Sequence, residues 1–221
     1  TVIVYPIDLA EPPTGWTDFW QVERFPNGRA LKRDPAGTLE FALLADGVPV
    51  NALYPLDVER AFASLDRIAA EVAIWYEDSK QPIELILAEQ VQLASAWNVR
   101  TILPDARGSV GITWNGGMPS GDSWVVPRGT KNPDLAMNFI RYAPQAVPNA
   151  NFCRLLPFGP VNREALDLLP AERLAVLPTA NPQRRLQFVE NWNYWVDHRE
   201  RLSERLVEWL ESRRQGDDNE T

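Results

Sequence analysis

The chain has 221 residues, of which 45% are hydrophobic and 24% charged, so it can bury a sizeable core and does not have the composition of a disordered protein. The 22 Lys and Arg residues against 30 Asp and Glu give a net charge of −8, which disfavours nucleic acid and acidic membranes as partners. Because Cys153 is the only cysteine and His198 the only histidine, an intrachain disulfide and a Cys/His zinc cluster are excluded. Apolar neighbours favour a small buried thiol for Cys153.

The first half of the chain predicts alternating strands and helices. Residues 1–5 are β-branched and apolar and favour a buried strand, 16–20 a helical turn and 30–32 a short strand. The loop at 34–38 then leads into a helix whose leucines fall on one stripe. Apolar residues three and four positions apart predict a single amphipathic helix over 57–75.

Further along, 83–87 predicts a short helix and 91–94 a strand, with Trp97 at the carboxyl end of that strand. Such strand ends are where ligands collect in open α/β sheets. Glycines in 101–122 punctuate two expected β segments, and 124–127 favours a strand.

The last third predicts two main helices. One follows Asn132, and a long helical tail covers 181–210. Trp192, Trp195 and Trp209 lie on the apolar stripe of this tail, which is expected to pack against the rest of the fold. The glycine spacing at 108–111 is not a dinucleotide fingerprint. The first residues lack the charged start and cleavage site of a signal peptide, so an export signal is expected to have been removed or to lie outside this sequence.

Four segments, in this order, are similar to the spermidine/putrescine-binding proteins of bacterial ABC importers. They are Gly-Trp-Thr-Asp-Phe-Trp at 15–20, Arg-Asp-Pro-Ala-Gly-Thr-Leu-Glu at 33–40, Ala-Trp-Asn at 96–98 and Phe-Gly-Pro-Val-Asn at 158–162. The resemblance implies an α/β fold of the type II periplasmic-binding class, in which two lobes close on a solute. It also implies that most of the N-terminal lobe is missing. Residues 1–119 correspond to the first part of the second lobe, 120–162 to a returning segment of the first lobe with the hinge crossings, and 163–221 to the C-terminal helices of the second lobe.

The same resemblance implies a non-enzymatic protein of the periplasm that captures a small cationic, polyamine-like solute for an ABC permease in the inner membrane, with no cofactor. Two other functions are open, because a fold does not determine function. An enzyme on this fold would need a nucleophile with a partnered base, which the sequence does not offer. A ligand-sensing domain would need a DNA-binding or membrane segment, and none is seen in these residues.

By position, the family's pocket maps onto several residues of this chain. Carboxylates would offset the hydration that an ammonium loses, and aromatic faces would cover its methylenes. The candidate ligand-binding residues are Asp34, Trp97, Arg100, Ser120, Asp122 and Phe158.

Four of the candidates also have a structural interpretation. Asp34 suits a helix cap or a turn, Asp122 a turn and Trp97 the core, and a structural role is equally open for Phe158. The family pattern is broken where Gly37 replaces a carboxylate, Ser120 an aromatic residue and Phe158 a tyrosine, which weakens the polyamine assignment. Arg100 offers a partner for a ligand carboxylate instead.

Loss of a lobe has two expected consequences. The surface that the lobe covered is expected to be apolar, so self-association between copies is predicted. The fragment is also expected to bind solute weakly by itself, because closure between lobes supplies the second wall of the pocket.

Overall fold

The computed structural model describes residues 1–102 and 106–217 and has a mixed α/β architecture. The strands in this part of the chain are β1 Val2–Pro6, β2 Arg29–Lys32, β3 Val72–Tyr76, β4 Leu93–Ala96 and β5 Val110–Thr113. They form one five-stranded sheet with the order β3-β2-β4-β1-β5. Strand β2 runs parallel to β3 and β4, whereas β1 runs antiparallel to β4 and β5.

Helices connect and cover the strands. The α-helices are α1 Trp16–Phe19, α2 Pro35–Ala45, α3 Val58–Asp66, α4 Gln81–Leu87, α5 Pro133–Tyr142, α6 Ala146–Leu155, α7 Ala171–Leu174, α8 Gln183–Leu186 and α9 Trp192–Asp217. Short 3₁₀ helices lie at Val50–Ala52, Ala69–Glu71, Asn98–Ile102 and Arg163–Leu168.

The sheet separates two hydrophobic clusters. Successive residues of a strand point to opposite faces, so Leu31 and Leu93 enter the larger cluster while their neighbours Ala30 and Ala94 enter the smaller one. Side chains of α2, α3 and α9 complete the larger cluster, and α4 contributes Ile83 to the smaller. This layering leaves the carboxyl ends of β2 and β4 side by side at one edge of the sheet.

A third cluster lies apart from the sheet. Helix α6 contributes Ala150 and Cys153, which pack against Ala165, Leu169 and Leu177. Burial raises the pKa of the Cys153 thiol to about 11, as expected of a packing residue rather than a reactive one. Residues 165–180 thus pack with α6, and the division of the chain into lobes at 119 and 162 stays a prediction.

The strands predicted at 1–5 and 30–32 are confirmed as β1 and β2, and the helical turn at 16–20 as α1. The helix expected after the 34–38 junction is α2, whose regular turns begin after Gly37. The helix predicted over 57–75 is wrong in its second half. Helix α3 ends at Asp66, and Val72–Tyr76 is strand β3 beside β2. Ile, Val and Trp at 68–76 satisfy both helical spacing and strand propensity, and pairing with β2 decides in favour of the strand.

The later predictions hold in part. The strand predicted at 91–94 begins two residues later, at Leu93, and of the two β segments expected in 101–122 the described residues form β5, while 103–105 lie outside them. Residues 124–127 are not a strand. The predicted tail helix is interrupted between α8 and α9, and its Trp192 is exposed, whereas Trp195 is buried and Trp209 partly buried.

Candidate functional site

The edge where β2 and β4 end carries an aromatic ring between two cations. Strand β4 is buried along its length and ends at Ala96, so Trp97 is the first side chain to emerge, with 38% of its surface exposed. The Lys32 ammonium, at the end of β2, lies 5.7 Å from the centroid of the Trp97 ring, and the Arg100 guanidinium lies 6.0 Å from it. Both distances fall in the range of cation–π contacts.

Asp34 is occupied by groups of its own chain. Its carboxylate caps α2 by accepting the Ala36 backbone N–H at 3.1 Å. It also accepts the Lys32 ammonium at 3.0 Å and Arg199 Nη2 at 2.8 and 3.1 Å. Asp34 therefore acts as a cap and the centre of an ion-pair network, and its charge is already offset by two cations.

Arg100 is held in place but keeps donor capacity. It lies in the 3₁₀ turn Asn98–Ile102, and its Nη2 donates to Ser79 Oγ at 2.6 Å. Its Nε is buried without a hydrogen-bond partner among the described residues. A buried unpaired N–H is costly, so the Arg100 side chain gains little from its present position beyond the bond to Ser79.

A buried carboxylate borders the same network. Glu190 lies just before α9 and is buried. Burial raises its pKa, Arg199 opposes this rise and Asp34 adds to it. Sequence reasoning missed Glu190, Lys32 and Arg199. Only Lys32 carried a local signal, since it is the last residue of a predicted strand, whereas the other two are more than 150 positions away from it in the chain.

Phe158 is tied to this edge through the backbone. Asn98 Nδ2 donates to the carbonyl of Pro157 at 3.0 Å and to that of Val176 at 3.3 Å. The Phe158 ring is partly exposed and stacks on Phe152, with 5.6 Å between centroids. The turn after Trp97 therefore anchors the segment that carries Phe158.

Ser120 and Asp122 are the two remaining candidates. Both are exposed, in a stretch without regular structure that follows the buried Met118. Among the described residues, no hydrogen bond or ion pair joins either of them to Trp97, Arg100 or Asp34. The structure thus brings Asp34, Trp97 and Arg100 to one edge through Lys32 and leaves Ser120 and Asp122 outside that group.

Two of the cavities in the described part of the chain lie near the sheet, and Trp97 lines neither. One of about 430 Å³ lies between α9 and the ends of β2 and β3, where the Arg33–Glu77 pair, at 2.9 Å, meets the Asp34–Arg199 pair. The other, of about 690 Å³, lies between Val110 and the helices that carry Arg154 and Arg173. The partly exposed Trp97 ring lies outside both of them.

Residues 1–102 and 106–217 contain neither a group of metal-binding side chains nor a membrane-spanning helix. No three His, Cys, Asp or Glu side chains converge there to hold a metal ion. None of the helices in this part combines the length and hydrophobicity that a membrane crossing requires.

Comparison with known proteins places the fold. The chain superposes on an ABC transporter substrate-binding protein from Bradyrhizobium japonicum USDA 110 with a TM-score of 0.87 and 32% identity, over 95% of this chain and 67% of that one. A solved Atu4243-GABA receptor matches with a TM-score of 0.81 and 36% identity, over 95% of this chain and 65% of the other. The α/β fold of periplasmic binding proteins is confirmed.

Among curated proteins, a gamma-aminobutyric acid (GABA)-binding protein of Pseudomonas aeruginosa is 37% identical over 91% of this chain and 58% of its own length. The spermidine/putrescine-binding periplasmic protein of Salmonella typhimurium is 26% identical over 61% of this chain and 39% of its own. The chain thus spans little more than half of these relatives at most. The resemblance to polyamine-binding proteins is real but more distant than the resemblance to the GABA-binding protein.

A family model described as bacterial extracellular solute-binding protein matches residues 1–182. Its members are binding components of ABC transporters rather than enzymes. With most of the chain covered by the match and the fold shared with solved members, this chain belongs to the bacterial extracellular solute-binding protein family.

Proposed function

We propose that the protein is the periplasmic solute-binding component of an ABC importer and that it captures a small amino acid with separate amine and carboxylate ends, of the GABA class, for an inner-membrane permease. One observation carries the proposal. Asp34 is already neutralised by Lys32 and Arg199, while Lys32 and Arg100 flank the exposed Trp97 ring. The similarity to two GABA-binding relatives supports the same ligand class.

The charges at Trp97 argue against a polyamine. A diammonium ligand needs carboxylates that are free to replace its lost hydration. Here Asp34 has two partners of its own chain, and the cations nearest the ring in the described part, Lys32 and Arg100, would repel an ammonium. Gly37, where the family pattern has a second carboxylate, adds none.

The same charges suit a carboxylate. Arginine binds carboxylates through paired N–H groups, and Arg100, whose recorded hydrogen bond in the described part of the chain goes to Ser79, lies beside a Trp97 ring that can cover the ligand's methylenes. Charge-assisted hydrogen bonds of this kind are stronger than neutral ones. We propose that Arg100 and Lys32 take the carboxylate end, and that Asp122, Ser120 and Phe158 line the rest of the pocket when the site is closed.

A set of four-carbon ligands tests this proposal by calorimetry on the protein produced from its complete coding sequence. GABA has an amine and a carboxylate, putrescine two amines and butyrate only the carboxylate. We expect GABA to bind more than about tenfold tighter than either, a difference of at least about 1.4 kcal/mol. Putrescine binding as tightly as GABA would overturn the choice of ligand class.

Two arginine variants locate the carboxylate. Arg100→Gln should weaken GABA binding by about tenfold or more, because it removes a charge-assisted contact. Arg33→Gln is the matched control, since Arg33 lies at the same edge but pairs with Glu77. Equal effects of the two substitutions would argue against a specific role for Arg100.

The returning segment, residues 120–162, supports a second part of the proposal. Trp124 and Leu135 are 68% and 69% exposed, and Phe139 and Tyr142 are also largely exposed. Contiguous exposed apolar surface marks an interaction site. We propose that this surface meets the part of the fold that the longer relatives have outside the region matched by these 221 residues, and that the 221-residue chain alone binds solute weakly and self-associates.

Sedimentation velocity of this chain should show a concentration-dependent dimer, and a monomer at all concentrations would contradict the self-association.

A further inference from the structure

The side chain of Glu40 binds back to the irregular first turn of helix α2. The backbone at Ala36 and Gly37 is not helical, and Gly37 has a φ of 90°, so regular helix begins after the glycine. The Glu40 side chain turns back, and its Oε2 accepts the Gly37 backbone N–H at 2.8 Å. A glutamate three residues into a helix that reaches back to the capping residue is the second half of a capping box.

The other oxygen of Glu40 reaches the C-terminal helix. Its Oε1 accepts Trp195 Nε1–H at 2.7 Å and the hydroxyl of Tyr54. Glu40 is fully buried, and no cation pairs with it among the described residues. Among the described residues its negative charge is therefore stabilised by neutral donors alone, namely the backbone N–H groups of Gly37 and of Glu40 itself, the Trp195 indole N–H and the Tyr54 hydroxyl.

Helix α9 consequently contacts the segment 34–40 at its first residue, Asp34, and at its last, Glu40. Trp195 binds Glu40, and Arg199, one helical turn further along α9, binds Asp34. Asp34 in turn binds the Lys32 ammonium that lies over Trp97. A second contact, from Thr38 Oγ1 to the Lys32 carbonyl at 3.0 Å, ties the start of α2 to the same residue.

We propose that Glu40 is a positioning residue for the solute site: its carboxylate fixes α9 against the start of α2, and this arrangement sets where Lys32 lies against Trp97. The proposal rests on the proposed function only in taking the Trp97 edge as the solute site. No contact between Glu40 and the solute is involved.

The donors around Glu40 link this positioning to proton binding. The N–H groups of Gly37 and Trp195 can only donate, so a protonated Glu40 can direct its new hydrogen only towards the Tyr54 oxygen. Gaining a proton must therefore reverse or break part of the network. Burial raises the pKa of Glu40 to about 7, so both protonation states are populated near neutrality.

Other titratable groups near this network must be separated from Glu40. Asp18 on α1 pairs with Arg24, and Arg60 on α3 and Arg67 just after it pair with Asp46 at the far end of α2. Other titratable or charged groups near the network are Tyr54, Tyr76, Tyr194, His198, Lys32, Arg199, Arg201, Glu190 and the α-amino group of Thr1, whose pKa burial lowers to about 5. His198 stacks on Tyr194, with 4.1 Å between centroids, so substitution of His198 is needed to separate its contribution from that of Glu40.

Indole N–H resonances of the solute-free chain test the proposal by NMR. With Trp195 and Trp97 assigned through Trp→Phe variants, we expect the Trp195 resonance to titrate with a midpoint near pH 7 and the Trp97 resonance to follow with the same midpoint. In Glu40→Gln both should be independent of pH in this range. In Asp34→Asn, Trp195 should still titrate while Trp97 no longer follows it.

Further variants make the outcome decisive. His198→Gln and Glu190→Gln should leave both titrations in place, and loss of the Trp195 titration in His198→Gln would overturn the proposal. So would a titrating Trp195 with an unmoved Trp97, because Glu40 would then be a structural contact only. If Glu40→Gln does not fold, Tyr54→Phe should raise both midpoints by about one pH unit, since it removes a donor from the carboxylate. No solute is used, so a wrong choice of ligand leaves this result unaffected.

Discussion

The sheet with the helices packed on it, called the body below, and the returning segment, residues 120–162, differ in whether their apolar side chains are buried. In the body, helix α9 buries Trp195 to 2% exposure and Leu202 and Leu206 completely or nearly so. In the returning segment, α5 is as clearly amphipathic but has no buried residue. The comparison shows that an apolar stripe is enough to form a helix here, whereas its burial needs a partner that this part of the chain does not supply.

The same substitution in the two regions should give the largest contrast. Trp195→Ala removes a buried ring and a hydrogen bond to Glu40, so we expect it to lower the free energy of unfolding by about 4 kcal/mol. Trp124→Ala removes an exposed ring and should cost less than about 0.5 kcal/mol. Urea unfolding of both variants measures the difference, and similar losses would mean that the returning segment is packed in the isolated chain.

The body should also carry the pH dependence of stability. The pKa of Glu40 is about 7 in the fold against 4.5 when unperturbed, so the folded state binds more protons between these values. Stability from this group therefore falls as pH rises from 4.5 to 7, by about 3 kcal/mol in total, and levels off above.

Unfolding curves at pH 5 and pH 8 check this expectation. Glu40→Gln should remove this component of the pH dependence, and Asp134→Asn, an exposed carboxylate of the returning segment, serves as the control. Parallel pH profiles for the wild type and Glu40→Gln would show that the buried carboxylate does not titrate in this range.

The smallest expected contrast concerns surface ion pairs. The side chain of Arg199 is half exposed where it meets Asp34, so Arg199→Gln should cost about 1 kcal/mol or less, and less still at high salt. Arg141→Gln on α5, where the arginine donates to the neutral Asn138 at 3.3 Å, should be close to neutral and insensitive to salt. Thermal unfolding at low and high ionic strength distinguishes them, and an Arg199 effect that does not change with salt would point to packing rather than charge.

Local sequence patterns predicted most of the body because its strands and helices are short and strongly apolar. They failed where two structures satisfy the same pattern. Residues 68–76 fit a helix and a strand equally, and only pairing with β2 decides between them. Residues 124–127 have the composition of a strand, but a strand needs a neighbour, and in the described part of the chain none lies beside them.

The positions of Trp97 and Arg100 in the fold were predictable, because both follow a buried strand. Asp34 fitted two interpretations, and the choice between cap and ligand depends on Arg199, which is 165 residues away in the chain. No local pattern contains that contact. The same holds for Glu40, whose two distant donors come from a loop and from α9.

The most direct test of the account follows the Trp97 indole N–H resonance while GABA is added to the protein produced from its complete coding sequence. We predict a saturable shift of the Trp97 resonance with the affinity found by calorimetry, and no shift of Trp209, which packs on Phe62 and Trp75 against the larger hydrophobic cluster. In Arg100→Gln the Trp97 shift should require about tenfold or more additional GABA. GABA binding that leaves Trp97 unmoved and is unaffected by Arg100→Gln would contradict the assignment of the solute site to this edge.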